Sequence, residues 1–240
     1  MRVEVWSDFV CPFCYIGKRH FEEALNQFGG KANVEIVFKS FELDPNAKVH
    51  YDEDMHQLLA AKYGMSVEQA KEMNANVAQR AAEVGLTYHF DTMKPTNTFD
   101  AHRLTHFAAQ HGKMTEMAER LFKAYFTESK HIGEHETLTA LAAEVGLNPE
   151  KAREMLNSDE FSYEVRTDEQ EAGSLGIQGV PFFVINRKYA VSGAQPIGVF
   201  LNALQKASEE ESSFTILNED KNESNDPYCA DGKCEIPDKK

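Results

Sequence analysis

The sequence predicts an α/β protein in which a small sheet is interrupted by a long helical insertion and followed by an acidic tail. Three observations predict it. A strand–helix–strand pattern fills residues 2–43, the strand signal is absent from about 50 to 159, and a strand–turn–strand–helix pattern returns over 182–207. With 42% hydrophobic residues, 16 Phe and 8 Tyr in 240 positions, the chain has the apolar material for a real core.

Residues 2–7 alternate apolar and polar side chains as a half-buried strand does. From Pro12 to about Phe28 the spacing of Ile16, Phe21, Ala24, Leu25 and Phe28 places them on one helical face, and Gly29-Gly30 closes the helix. Asn33 to Leu43 alternates again, so the first two strands should be parallel with a right-handed crossover. Ser66 and Gln69 form a capping box for a helix that stops at Gly85. Asn97-Thr98 can cap the next, which carries Phe99, Leu104 and Phe107; another spans Met114 to Ser129, with Met117, Leu121, Phe122 and Tyr125 inward. Thr137 to Val145 follows, then a helix opened by Asn148-Pro149. A stretch of about 110 residues is too long for a loop and reads as an inserted helical subdomain.

A helix from Glu160 to Ser174 leads to a strand at Phe182–Ile185, a turn at 186–188, a second strand at Tyr189–Ser192 and a closing helix from Pro196 to Ala207. The predicted division is one α/β domain from 1–49 and 160–208, a helical insert at 50–159, and a tail at 209–240. Residues 208–240 hold ten acids against four lysines; Glu209–Glu211 read as a solvated linker, and Phe214, Ile216 and Leu217 are the only apolar cluster.

The formal charge of −14 argues against nucleic acid and anionic lipid as partners. No run of 18 apolar residues suggests a membrane span, and the N-terminus lacks the features of a signal peptide. A cytoplasmic location is therefore expected, where paired cysteines are more often catalytic or metal-binding than structural.

The four cysteines form two local pairs, Cys11-Pro12-Phe13-Cys14 and Cys229 with Cys234. A CxxC between a strand and a helix puts its first thiol at the helix N-terminus, where unpaired N–H groups favour the thiolate, the attacking species. Cys11 is thus expected to be an exposed nucleophile and Cys14, one turn on, a buried resolving thiol. The alternatives are an incidental pair or half a zinc site, the latter needing ligands that the nearby sequence does not supply. Gly179-Val180-Pro181 immediately precedes a strand. A proline there is an ordinary trans residue, or, as in thioredoxin-like folds, a cis-proline facing the CxxC; about 5–6% of X–Pro bonds are cis.

Weaker candidates have simpler readings. Asp8 either acts on a cysteine proton or bonds loop amides, the commoner role of Asp. His102 and His106 stand at i,i+4 without an HExxH pattern, and His131 and His135 are weaker still as a metal pair. There is no GxGxxG, P-loop or GxSxG.

On Ser7-Asp8-Phe9-Val10-Cys11-Pro12-Phe13-Cys14-Tyr15, Gly176 to Phe183 and Ser192 to Pro196, the chain resembles the DsbA family of the thioredoxin superfamily, in its cytoplasmic FrnE-like branch. The resemblance spans 2–207 and implies a thioredoxin-like fold with a helical insertion. It implies a protein dithiol–disulfide oxidoreductase or isomerase with Cys11 as nucleophile, Cys14 as resolving thiol and Pro181 as cis-proline. Val180, Pro12 and Phe13 would contact protein or peptide disulfide substrates, and a low-molecular-weight thiol is a further candidate partner. No metal, nucleotide or flavin is implied. Phe13 replaces the histidine of periplasmic members, which implies a weaker oxidant. The C-terminal CX4C of the branch is matched by Cys229 and Cys234, a candidate second redox pair; the alternatives are a metal clip or an idle local disulfide. Closing so small a ring costs little entropy, and Asp231-Gly232 supplies a turn. Two rival readings are a glutathione-linked kappa-type transferase or isomerase, which typically carries serine where this chain has Cys11, and a non-catalytic adaptor.

Overall fold

Strand β1 (Arg2–Ser7) lies at the middle of a four-stranded sheet in the computed structural model. The structure describes residues 1–29 and 34–210, with the backbone of 211, 229–230 and 233–234. Gly30, Asn33, Phe214, Ile216, Leu217 and the Asp231-Gly232 turn fall outside the described residues. β1 pairs in parallel with β2 (Glu35–Ser40), with Val5 opposite Phe38, and antiparallel with β3 (Phe182–Ile185), which pairs antiparallel with β4 (Tyr189–Ser192). The order is β2-β1-β3-β4.

β1 is buried from Val3 to Ser7, not on one face only as the alternation suggested. The reason is that both faces of the sheet are covered. Val3 and Val5 belong to the main core with α1 (Pro12–Phe28) and the closing helix α9 (Ile197–Glu211), while Trp6 packs with Ala172 and Ile177 on the other side. Glu4 is also buried and is held by Arg187 from the β3–β4 turn. α1 starts with Pro12 at its first turn and ends at Gly29 in the left-handed conformation, φ 72°.

Between β2 and α8 (Ser162–Ser174) run α2 (Met55–Tyr63), α3 (Val67–Ala82), α4 (Phe99–Ala109), α5 (Met114–Phe126), α6 (His135–Glu144) and α7 (Pro149–Leu156). The Ser66–Gln69 capping box opens α3 as expected, and the Asn148 side chain caps α7. At α4 the Asn97 side chain accepts from the Phe99 N–H at 2.8 Å, while Thr98 makes no side-chain cap bond. α2 was not predicted, although Asp54 and Gln57 form a full capping box before it. α9 extends through Glu211, so Glu209–Glu211 belong to a helix and not to a linker. Glu210 explains part of this extension: Tyr189 donates to it at 2.6 Å and Lys188 pairs with it at 2.6 Å. In the tail, β5 (Cys229–Ala230) and β6 (Lys233–Cys234) pair antiparallel with Cys229 opposite Cys234.

Candidate active site

Cys11 occupies the N-cap of α1 in extended conformation (φ −87°, ψ 111°), and the Cys14 N–H donates to its carbonyl at 3.1 Å. Both thiols are free. The expectation of an exposed Cys11 needs correction: it is 5% exposed and Cys14 2%. Helices α2 and α3 and the segment around 90–96 fold over it, so Cys11 opens into a cleft instead of onto the surface.

The Val180–Pro181 peptide is cis. The Cys11 thiol lies 3.6 Å from the Val180 carbonyl oxygen, to which it donates. Gly17 makes this approach possible. A Cβ there would sit 3.0 Å from Pro181 Cγ and 3.3 Å from Ala194 Cα, so a larger residue would push the cis-proline segment off α1.

Cys14 is held as a protonated thiol. Burial pushes its pKa well above the ordinary thiol value, hydrogen bonding and charge from Cys11 add to this, and donors from the Ser7 hydroxyl and Asp8 backbone oppose it. Only one oxygen of the Asp8 carboxylate is hydrogen-bonded: Oδ2 accepts from the Leu43 N–H at 2.8 Å, while Oδ1 is buried without a hydrogen bond and faces His102 Nε2 at 3.5 Å. Asp8 thus bonds a loop amide through Oδ2, the role that Asp commonly takes.

The active-site turn is braced from behind. Tyr88 donates to the Pro12 carbonyl at 2.8 Å, and its ring stacks on Phe126 at 4.4 Å. Tyr15, next to Cys14, donates to Glu119 on α5 at 2.7 Å, and Lys18 and Arg19, one turn further on, pair with the same carboxylate. Burial alone would raise the Glu119 pKa; the charge of Lys18 and hydrogen bonds from Arg19, Lys18 and Tyr15 outweigh it and hold the group at about 2.

Two openings meet at Phe13. A cleft of about 640 Å³ runs from Cys11 and Pro12 past Leu59, Met73 and Met93, with Lys62 and Arg80 as its cations. A second groove of about 540 Å³ is lined by Ile16, His20, Val180, Pro181 and Gln195. Phe13 and Arg80 border both, with the guanidinium 5.8 Å from the ring centre.

Cys11, Cys14, Pro12, Phe13, Val180 and Pro181 are thus brought together, while the side chains of Cys229 and Cys234 lie outside the described residues. His102 and His106 do not share a ligand site. His102 packs on Phe9 in the core, and His106 Nε2 lies 3.1 Å from both Ser40 Oγ and Asp168 Oδ2. Sequence reasoning missed Ser7, Gly17, Arg80, Tyr88 and Glu119; only Gly17, a glycine inside a helix one turn past the CxxC, carried a visible signal.

The DSBA-like thioredoxin domain matches residues 2–205. The chain belongs to this family. The uncharacterized protein YwbO of Bacillus subtilis (strain 168) is 31% identical over 206 residues, 85% of this chain and 96% of that protein. The crystal structure of a probable DsbA oxidoreductase from Streptomyces coelicolor superposes with a TM-score of 0.85 at 40% identity, covering 99% of this chain and 100% of the other. The cytosolic disulfide reductase DsbM of Pseudomonas aeruginosa shares the fold at a TM-score of 0.63 and 16% identity, covering 88% and 100%, and has also been solved with GSH. Membership in the DsbA-like family carries the thioredoxin-like fold and a thiol–disulfide oxidoreductase framework. Among the described residues no helix is long and apolar enough to cross a membrane.

Proposed function

We propose that this DsbA-family member is a cytoplasmic oxidoreductase or isomerase of FrnE-like type, acting on protein or peptide disulfides through a mixed disulfide on Cys11. The observation that carries the reading is Cys11 at the head of α1 with its Sγ 3.6 Å from the Val180 carbonyl of the cis Val180–Pro181 bond. In the reductive direction the Cys11 thiolate attacks one substrate sulfur, the substrate S–S bond breaks, and one thiolate leaves. Cys14 then loses its proton and attacks Cys11 Sγ, releasing the second substrate thiolate. The substrate gains two electrons and two protons, and the Cys11–Cys14 pair becomes a disulfide. Oxidation is the same path reversed. Val180 offers its backbone to an extended substrate segment, with Pro12 and Phe13 on the adjoining surface.

In this reading residues 50–159 act as an insert that shapes the cleft, on the α/β frame of 1–49 and 160–208. Cys229 and Cys234, opposite one another across β5 and β6, serve as a second redox pair that exchanges electrons with Cys11–Cys14. A low-molecular-weight thiol is a second partner class, for which the GSH-bound neighbour is the precedent.

The test is Cys14→Ser, which should accumulate mixed disulfides on Cys11 with cell extract or a model disulfide peptide; Cys11→Ser should abolish them. Absence of any Cys11 adduct would refute the reading. A cellular role that survives loss of both cysteines would favour a non-catalytic adaptor. Truncation after Ser213, which spares α9, should slow repeated turnover but not the first turnover if the tail pair takes part.

A further inference from the structure

Behind the wall of the main cleft, two segments distant in sequence bring three ligand-type side chains together. His50 lies in the β2–α2 connection, and His131 and Glu134 lie in the turn entering α6. One donor atom from each is within 4.8 Å of the other two, and the two imidazole rings are 4.8 Å apart at 43°. Among the described residues no side-chain hydrogen bond joins these three groups to one another. His131 Nδ1 is sealed from solvent and has no hydrogen-bond partner. The backbone around it is firmly placed: the Glu134 N–H donates to the His131 carbonyl at 3.2 Å. Gly133 sits against Thr96, whose hydroxyl a Cβ there would meet at 2.0 Å, and that hydroxyl donates to the Val49 carbonyl at 2.9 Å. Thr96 thus spaces the two segments.

We propose that His50, His131 and Glu134 form a site for a divalent transition-metal ion of the zinc class, which clips the β2–α2 connection to the α5–α6 turn. Two neutral imidazoles and one carboxylate suit zinc, cobalt or nickel, whereas calcium and magnesium want an oxygen shell. Metal–ligand bonds of about 2.0–2.2 Å place tetrahedral donors about 3.4 Å apart, so donors up to 4.8 Å apart must close by up to about 1.4 Å. His50 and Glu134 are exposed and have room to do so. Three protein ligands leave the fourth position to water. Tyr51, beside His50, and Thr96 both line the cleft that reaches Cys11, so the clip fixes part of that cleft's wall. The neighbouring His135 is not a ligand, because it is bonded to Asp100 at 2.9 Å and Asn157 at 3.1 Å.

The experiment is cobalt titration of the full chain with all four cysteines changed to serine, so that thiolates cannot bind the ion. One equivalent should bind with the visible bands of a four- or five-coordinate nitrogen/oxygen site. His50→Ala and His131→Ala should each weaken binding at least tenfold, and His135→Ala should not. Zinc at a hundredfold excess over its Kd should raise the Tm by roughly 5–10 °C in the parent and not in His50→Ala. His50 is exposed, so its variant keeps the test valid if His131→Ala fails to fold. No saturable binding, or binding indifferent to His50→Ala, would overturn the proposal.

Discussion

Glu119→Gln tests how the helix carrying the two cysteines is held. The Glu119 carboxylate receives the Tyr15 hydroxyl at 2.7 Å and Lys18 Nζ at 2.6 Å, and it also pairs with Arg19. The Lys18 side chain is only 6% exposed, so loss of its partner strands a largely buried cation. Breaking a buried pair costs about 3–5 kcal/mol, but Glu119 is 32% exposed and Glu22 still pairs with both cations. The expected loss is therefore near half that range, about 1.5–2.5 kcal/mol. The pH dependence supplies a second signature. A carboxyl held at about 2 in the folded protein, against about 4.3 unfolded, stabilises fully above the unfolded value and loses that contribution as pH falls towards 2. The gap between parent and variant should thus be widest at pH 6–7 and narrow below about pH 4.5. Urea unfolding at pH 7, 4.5 and 3.5 reads both. Because Glu119 bonds neither thiol, the rate of adduct formation on Cys11 should change by less than about threefold. A gap under about 0.5 kcal/mol at pH 7, or one that does not narrow with acid, would refute the reasoning.

Gly17→Val should cost about 1–3 kcal/mol through overpacking and should lower substrate turnover further by displacing Pro181 from α1; unchanged turnover would show that the contact is slack. Asp168→Asn should cost about 3–5 kcal/mol by denaturant unfolding, since the buried carboxylate accepts from Lys39 at 2.6 Å and the Ser40 N–H at 2.9 Å. Burial opposes its ionisation, yet bonds from His106, Lys39 and Ser40 hold its pKa below the ordinary value, so its contribution is present at neutral pH and is lost in acid below about pH 4. Iodoacetamide at pH 7 should modify Cys11 at least about tenfold faster than Cys14, whose buried thiol is kept protonated; mass spectrometry showing Cys14 modified first would reverse their roles.

What the sequence made legible follows the strength of its local physics. The strands, α1 and the Gly29 stop were readable because each carries a strong period or a glycine with positive φ. The pairing of Cys11 with the Val180–Pro181 segment, 169 residues away, was legible only through motif order. Ser7, Tyr88 and Glu119 were not, since each acts through a tertiary contact that no local pattern announces. The burial of Cys11 escaped for the same reason: its cover comes from helices α2 and α3, more than forty residues on.

The failure at α2 has a more specific cause. This helix has a complete capping box, yet only His56 and Ala60 are buried on it. Of its apolar residues, Leu58 and Leu59 line the cleft, Met55 lines it while also touching the core, and Tyr63 is exposed. A helix that faces a packed core needs a continuous apolar stripe, and that stripe is what periodicity detects. A helix that walls a cleft is released from this requirement, because part of its apolar surface meets an opening. The same release explains why the cleft can be apolar without stabilising the fold: surface left facing a cavity contributes little of the transfer energy that a filled core would. α2 was therefore hard to read because it was shaped by the opening to Cys11 and not by the interior.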